Sequence, residues 1–262
     1  MPYIKMTVTA GKDEYTYKYH SARYGKKCDR GGNIKPTPKE QRKINKRIAE
    51  RKRQWTASAN FGKDDWYVTL TYRRNERPES NAAAHAVLMN IIAKLRRKLK
   101  RQGVPLYYMC STETGEKGAV HHHLIIKNNF NIGMLLELWK HGRIDTVSIY
   151  TDSMAVLGGY LTKDADSGKH ANKKAARKRE AIFSSSRNLK KPKIRKQIIK
   201  AITFSEIPVP KKDCYIIHEY SGIQSIAGYL YQEYIQTHAA PSEITESRLV
   251  FKATGAEEVY NP

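Results

Sequence analysis

Cysteine is scarce in this chain. Cys28, Cys110 and Cys214 are odd in number, far apart and without a CxxC pair, which excludes a disulfide framework or a zinc knuckle and points to a reducing, cytoplasmic setting. No apolar run approaches the length of a membrane span, and the start Met1-Pro2-Tyr3-Ile4-Lys5 lacks a signal-peptide core, so no membrane association through a spanning segment is expected. No P-loop is present, so any strand separation driven by a nucleotide would need another protein. Acidic residues are also short: 25 Asp plus Glu stand against 48 Lys plus Arg, a formal net charge of +23. That excess exceeds what solubility needs and implies a polyanionic partner, nucleic acid first and an anionic membrane surface second. Phenylalanine is rare, 5 against 17 tyrosines; tyrosine rings stack on bases yet tolerate water, which favours single strands. With 262 residues, 40% of them hydrophobic, the chain can bury a real core as one domain or a domain with a large appendage.

Taken in order, residues 3–9 and 14–19 alternate around Gly11-Lys12-Asp13, the pattern of a small, peripheral hairpin. Thr37-Pro38-Lys39-Glu40 has the layout of a capping box with proline at the first helical position, so a basic helix is expected to run to about Ala59. Ile44, Ile48 and Trp55 form its thin apolar side, and its cations face either solvent or nucleic acid. Trp66 to Tyr72 reads as a strand, with Thr69 and Thr71 sharing a side. Ala84, Val87, Leu88, Ile91, Ile92, Leu95 and Leu99 fall at helical spacing within 80–102, closed by Gly103. Strands follow at 106–113 and 120–127, a helix at 131–141 and a strand from Ile144 to Tyr150. Strand, helix, strand, strand, helix, strand is the split βαβ plan, an α+β fold with an antiparallel sheet, both helices on one face and the other face open.

Asp152 to Lys163 reads as a helix despite Gly158 and Gly159, which suggests close approach of the sheet or a nucleic-acid backbone; Tyr160 and Lys163 share a face of it. From Lys169 to Lys200 the cations are dense, and the segment is expected to form helices at 172–181 and 194–202 around a Ser-rich loop. There Arg187, Lys190 and Lys191 are candidates to grip phosphates. Residues 214–219 and 228–235 read as a last strand pair. The resulting division is 1–63 for hairpin and basic helix, 64–165 for a catalytic core, and 166–262 for a basic extension with C-terminal strands.

His121-His122-His123-Leu124-Ile125-Ile126 concentrates the chemistry. In an extended segment His121 and His123 share a face about 7 Å apart, and His122 faces the opposite layer, where its loss is expected to matter little to the site. A hairpin at Gly115 and Gly118 brings in Glu113 as a candidate carboxylate. Two imidazoles and a carboxylate leave positions open for substrate oxygen, a set that suits Mg²⁺ or Mn²⁺ rather than a closed zinc site. A strand slipped by one residue would present His122 instead, and a His pair on a polar strand face needs no metal at all.

Thr69-Leu70-Thr71, His121-His122-His123 and Tyr160-Leu161-Thr162-Lys163, in that order, resemble motifs I, II and III of the HUH endonucleases that initiate rolling-circle replication. The likeness is greatest to the replication-associated proteins of phages and plasmids allied to the filamentous-phage gene II product, and it covers about residues 64–192. The family's histidine motif carries a bulky apolar residue in the middle, and His122 departs from it. The resemblance implies a metal-dependent enzyme that nicks and joins single-stranded DNA at a replication origin. Tyr160 would be its nucleophile, forming a 5′-phosphotyrosine, and His121, His123 and Glu113 its metal ligands. Lys163 would stabilise developing charge, while Thr69 and Thr71 lie on the DNA-facing sheet. Asp164 stands where two-tyrosine members carry the second phenol, so a second cleavage would draw on Tyr160 of another subunit, in a homodimer, or on a water activated near the site. The host's helicase and polymerase would be separate partners. Rival readings are a relaxase, which usually places its tyrosine before the histidines, a single-tyrosine transposase, which is shorter, and a non-catalytic single-strand binder on the same kind of sheet.

Overall fold

The computed structural model describes residues 2–20, 38–115, 118–151, 153–155, 181–201, 203–223 and 230–238. The chain divides into two compact units, Met1–Asn60 with Thr151–Val156 and Lys190–Pro262, and Phe61–Tyr150 with Leu157–Leu189. The two ends of the sequence thus meet in one unit. Both units hold an antiparallel sheet with helices, so the fold is α+β. No helix among the described residues is long and apolar enough to cross a membrane.

In the unit that contains the chain ends, β1 (Tyr3–Ala10) and β2 (Asp13–Tyr19) form the expected hairpin. Gly11 turns it at φ +62°, and a Cβ there would lie 2.1 Å from the Ser58 carbonyl oxygen. Only glycine therefore lets the turn rest on α1 (Pro38–Asn60). The hairpin is central rather than peripheral, because β8 (Lys193–Ile199) pairs with β1 and β10 (Leu230–Thr237) pairs with β2. β9 (Tyr215–Ile223) closes the sheet in the order β8-β1-β2-β10-β9. The helix expected at 194–202 is thus corrected to a strand: Ile194 and Ile198 lie four apart, a spacing that suits both periods, and pairing with distant β1 decides between them. Val8, Ala10, Tyr15, Tyr17 and Trp55 make the core, with the Trp55 indole N–H donating to Tyr17 OH at 3.2 Å. Ile48 remains 45% exposed, so the apolar side of α1 is narrower than its sequence implies. Arg51 ties the helix to β10 by donating to Tyr231 OH at 2.7 Å and pairing with Glu233.

The other unit realises the split βαβ plan. Its strands are β3 (Trp66–Thr71), β4 (Tyr108–Thr114), β5 (Val120–Ile126), β6 (Ile144–Ser148) and β7 (Ile182–Ser185), in the order β6-β3-β5-β4-β7. Between them run α2 (Asn81–Arg101) and α3 (Gly133–Leu138). The Ser80 side chain accepts from Ala83 N–H to cap α2, and Gly103 at φ +72° ends it while Val104 N–H returns to Leu99 O. Val68, Leu70, Tyr108, Cys110, Leu124 and Ile126 meet Leu88, Ile92, Leu95 and Leu99 of α2 and Leu135 and Trp139 of the α3 region. A leucine buried in this way contributes about 2 kcal/mol. α3 is shorter than the expected 131–141, and the Ser-rich stretch read as a loop supplies β7, paired to β4 through Met109↔Ser185 and Ser111↔Phe183. At the start of β6, a Cβ on Gly142 would lie 2.1 Å from Thr71 O, so this glycine permits the close backbone approach that continues the β3–β6 ladder, Thr71 N–H to Arg143 O at 3.0 Å.

Candidate active site on the histidine strand

Strand parity sorts the candidates onto two faces. β5 lies between β3 and β4, with Thr69 and Ser111 flanking His123, and Thr71 and Glu113 flanking His121. Thr69, Thr71, Glu113, His121 and His123 therefore share the face opposite α2 and α3. That face is not open throughout: Met109, Ser111 and Ile125 on it are buried, whereas Thr69, Thr71, Glu113, His121 and His123 are partly exposed.

His123 is the best-held member. Its Nε2 lies 3.1 Å from Glu113 Oε1, and its Nδ1 lies 3.0 Å from Tyr67 OH and 3.3 Å from Thr69 Oγ1. The Tyr67 ring stacks on the imidazole with centroids 5.9 Å apart. Hydroxyls both donate and accept, so Tyr67 and Thr69 support either tautomer of His123, including the one that frees Nε2 as a ligand. The His121 ring lies 6.3 Å from that of His123. Burial, and next the neighbouring His123, lower the pKa of His121, with Glu113 acting in opposition. Gly115 leaves room for this ring: a Cβ there would stand 2.8 Å from His121 Nε2.

The donor set suits a divalent ion. Neighbouring ligands about 2.1 Å from an octahedral ion are about 3 Å apart, close to the separation of His123 Nε2 and Glu113 Oε1, 3.1 Å. Among the described residues, however, no group of three or more His, Cys, Asp or Glu side chains stands ready to hold a metal. His123 and Glu113 are spaced as ligands, and His121 is on the same face without converging on them.

His122 points the other way, into the core, and is fully buried. Its Nε2 lies 2.8 Å from Tyr72 OH and its Nδ1 2.8 Å from Thr112 Oγ1. The Ala84 carbonyl, 3.3 Å from Tyr72 OH, can only accept, and it sets the direction of a whole chain of bonds. Tyr72 donates to Ala84 O, so His122 Nε2–H donates to Tyr72 and Nδ1 accepts from Thr112. Thr112 then accepts from His85 Nδ1–H at 2.9 Å, and His85 Nε2 accepts from Ser184 at 2.7 Å. Every donor is used. Burial, reinforced by the imidazole of His85, lowers the His122 pKa to about 3, so the ring is neutral. His122 thus faces away from the site, as alternation along the strand predicts, and is a core residue whose two polar atoms are both satisfied inside.

The other candidates scatter. Thr71 Oγ1 donates to Arg143 O at 3.3 Å. Arg187 is exposed just beyond β7. Lys190 and Lys191 fall in the other unit, where Lys190 N–H donates to Asn60 Oδ1 at 2.7 Å. Tyr160, Lys163 and the helix expected around them, with the helix expected at 172–181, lie outside the described residues. Tyr67, His85 and Thr112 are not singled out by the sequence. Tyr67 has the parity of Thr69 and was legible on that ground, whereas His85 becomes visible only once α2 is laid on β4 and β7.

Residues 65–165, fewer than half of the 262, match the family model of the replication-associated protein ORF2/G2P. No curated protein and no solved structure matches the chain. The matched segment contains the histidine face whole, and it supports a replication initiator with DNA as its partner.

Proposed function

We propose that the chain initiates rolling-circle replication as a single-tyrosine endonuclease, cutting and rejoining single-stranded DNA at an origin. The observation that carries this reading is the gathering of His121, His123, Glu113 and Thr69 on one sheet face inside the segment that matches the replication-associated family. The Tyr160 phenol oxygen bonds to phosphorus as the P–O3′ bond breaks. The phenol gives up its proton and the departing 3′-oxygen gains one, so no oxidant or co-reactant is required. The 5′-phosphotyrosine retains the phosphodiester's energy for resealing, and the free 3′-end primes synthesis by a polymerase, with a separate helicase opening the duplex. With His121 turned in beside them, His123 and Glu113 would hold Mg²⁺ or Mn²⁺, which would supply Lewis-acid polarisation of the phosphate and offset charge on its oxygens. Tyr67 and Thr69 orient His123 through Nδ1, and Lys163 would steady the phenolate. A homodimer would supply the second tyrosine for termination.

The test is incubation with a labelled single-stranded DNA library and Mn²⁺, followed by a denaturing gel and peptide mass analysis. A covalent adduct on the peptide containing Tyr160 is expected, absent in Tyr160→Phe and strongly reduced in His121→Ala and His123→Ala. DNA binding without any adduct would leave a non-catalytic single-strand binder in its place.

A further inference from the structure

A groove of about 950 Å³ opens in the same unit, between the last turns of α2, residues 103–106 and the segment after β7. Arg96 and Lys100 line one wall, and Ser185, Ser186, Arg187 and Asn188 the other; among the described residues no carboxylate lines it. Several of these groups are held in place. Arg96 Nη2 donates to Tyr108 OH at 3.3 Å, with its guanidinium carbon 5.9 Å from the ring centroid. Tyr108 is itself fixed at two points, donating N–H to Ser186 Oγ at 3.2 Å and accepting Ser186 N–H at 3.0 Å. Asn188 Nδ2 donates to Leu106 O at 3.3 Å.

Capping engages part of the negative end of α2. Leu99 O accepts from Gln102 and Val104, and Lys100 O from Gly103, so these carbonyls are already bonded. Elsewhere on this helix a lysine faces an acid, Lys98 with Glu137 at 3.6 Å. Arg96, Lys100 and Arg187 line one groove together with hydroxyls and an amide, and an anion would relieve the repulsion among the three cations.

The position of the groove identifies the anion. One row across the sheet runs Asp145, Thr69, His123, Ser111, Phe183. Phe183 lies two strands from His123, roughly 10 Å across the sheet, and Arg187 follows it by four residues, at most about 13 Å of extended chain; Arg96 and Lys100 come from α2 on the opposite face, so a strand leaving the histidine face rounds the β7 edge to reach the groove. We infer that the groove is a second anion subsite, holding phosphodiesters of the same single strand whose scissile phosphate meets the histidine face. This rests on the nuclease reading, and it assigns to Arg96 and Lys100 a role in holding the strand away from the reacting phosphate. Arginine and hydroxyl contacts of this kind fix register without reading sequence.

The experiment is fluorescence anisotropy of labelled oligo(dT) with the full chain in EDTA across a salt series. Removing metal separates binding from cutting. The triple variant Arg96→Gln/Lys100→Gln/Arg187→Gln is compared with Lys94→Gln/Arg97→Gln/Arg101→Gln, an equal loss of charge from exposed positions of α2 outside the groove. The groove triple is expected to weaken binding about 10- to 100-fold and to reduce the salt slope by about 2, since each lost phosphate contact on a single strand removes about 0.7. The control triple is expected to change affinity by less than about 3-fold. Arg187→Gln alone, at an exposed position, carries the test if the triple melts early, with about one third of the slope change. Equal weakening by both triples, or none by the groove set, would overturn the subsite while leaving the nuclease reading standing. Failure of the unaltered chain to bind oligo(dT) would remove the nuclease reading itself. Competition by free dTMP as effective as by oligo(dT) would make the groove a nucleotide pocket and overturn its assignment to the strand.

Discussion

The two sheets solve the problem of a buried interior differently. The sheet that carries the histidines rests on an apolar layer, Leu70, Leu88, Ile92, Leu95, Leu99, Leu124 and Ile126, crossed by a connected run of polar groups, from Ser184 through His85, Thr112 and His122 to Tyr72. The other sheet rests on tyrosines and Trp55 and buries Asp13, Thr16, Gln232, Gln236 and Thr237. The first sheet is made largely from one continuous stretch, the second from both ends of the chain. Apolar burial is non-directional and can be specified by a local pattern, whereas buried polar groups must find particular partners, and here those partners are far apart in sequence.

Two glycines provide the severest test of this contrast, one in each unit. Gly11→Ala would place Cβ against the Ser58 carbonyl at positive φ, and Gly142→Ala would place it against Thr71 O, each closer than atoms can approach. Each should cost about 2–5 kcal/mol in urea denaturation, from overpacking and, at Gly11, from the left-handed backbone. Only Gly142→Ala should also lower nicking by the surviving folded fraction, because it displaces Thr71 beside His121. Equal loss of specific activity in both variants would mean that the site depends on more than its own sheet.

His122 offers the next largest effect. His122→Ala leaves a cavity and withdraws a partner from Thr112 and Tyr72, with an expected loss of about 3 kcal/mol. His122→Leu refills the volume with an apolar side chain, while Thr112 still meets His85 and Tyr72 still meets Ala84 O; it should cost about 1 kcal/mol. A leucine variant as unstable as the alanine variant would show that the hydrogen-bonded chain, rather than packing, holds β5 against α2.

The smallest effect expected is in the other core. Asp13 accepts from Ser58 Oγ at 2.7 Å and from Ala155 N–H at 3.1 Å, yet burial raises its pKa above the ordinary carboxylate value. The folded state therefore keeps the proton more readily than the unfolded state, and stability contributed by this group falls as pH rises from the unfolded value through the folded one. Asp13→Asn keeps the acceptor and removes the charge. Its stability relative to the unaltered chain should be least favourable in acid and improve toward neutral pH, measured as the urea midpoint across pH. A difference independent of pH would show that the carboxylate is as well solvated inside as outside.

The sequence by itself determined the strands and helices from Trp66 to Ser148, because their apolar residues repeat at the periods of the elements they form. It also put His121, His123 and Glu113 on a common face, since alternation along paired strands needs nothing beyond a turn at Gly115 and Gly118. Only the tertiary structure made the N-terminal hairpin the centre of a sheet, turned 193–199 into a strand, and joined His85 and Ser184 to His122 through Thr112. Those outcomes depend on partners that lie from tens to more than two hundred residues away, where a short-range periodic pattern carries no information about which edge or hydroxyl will be met.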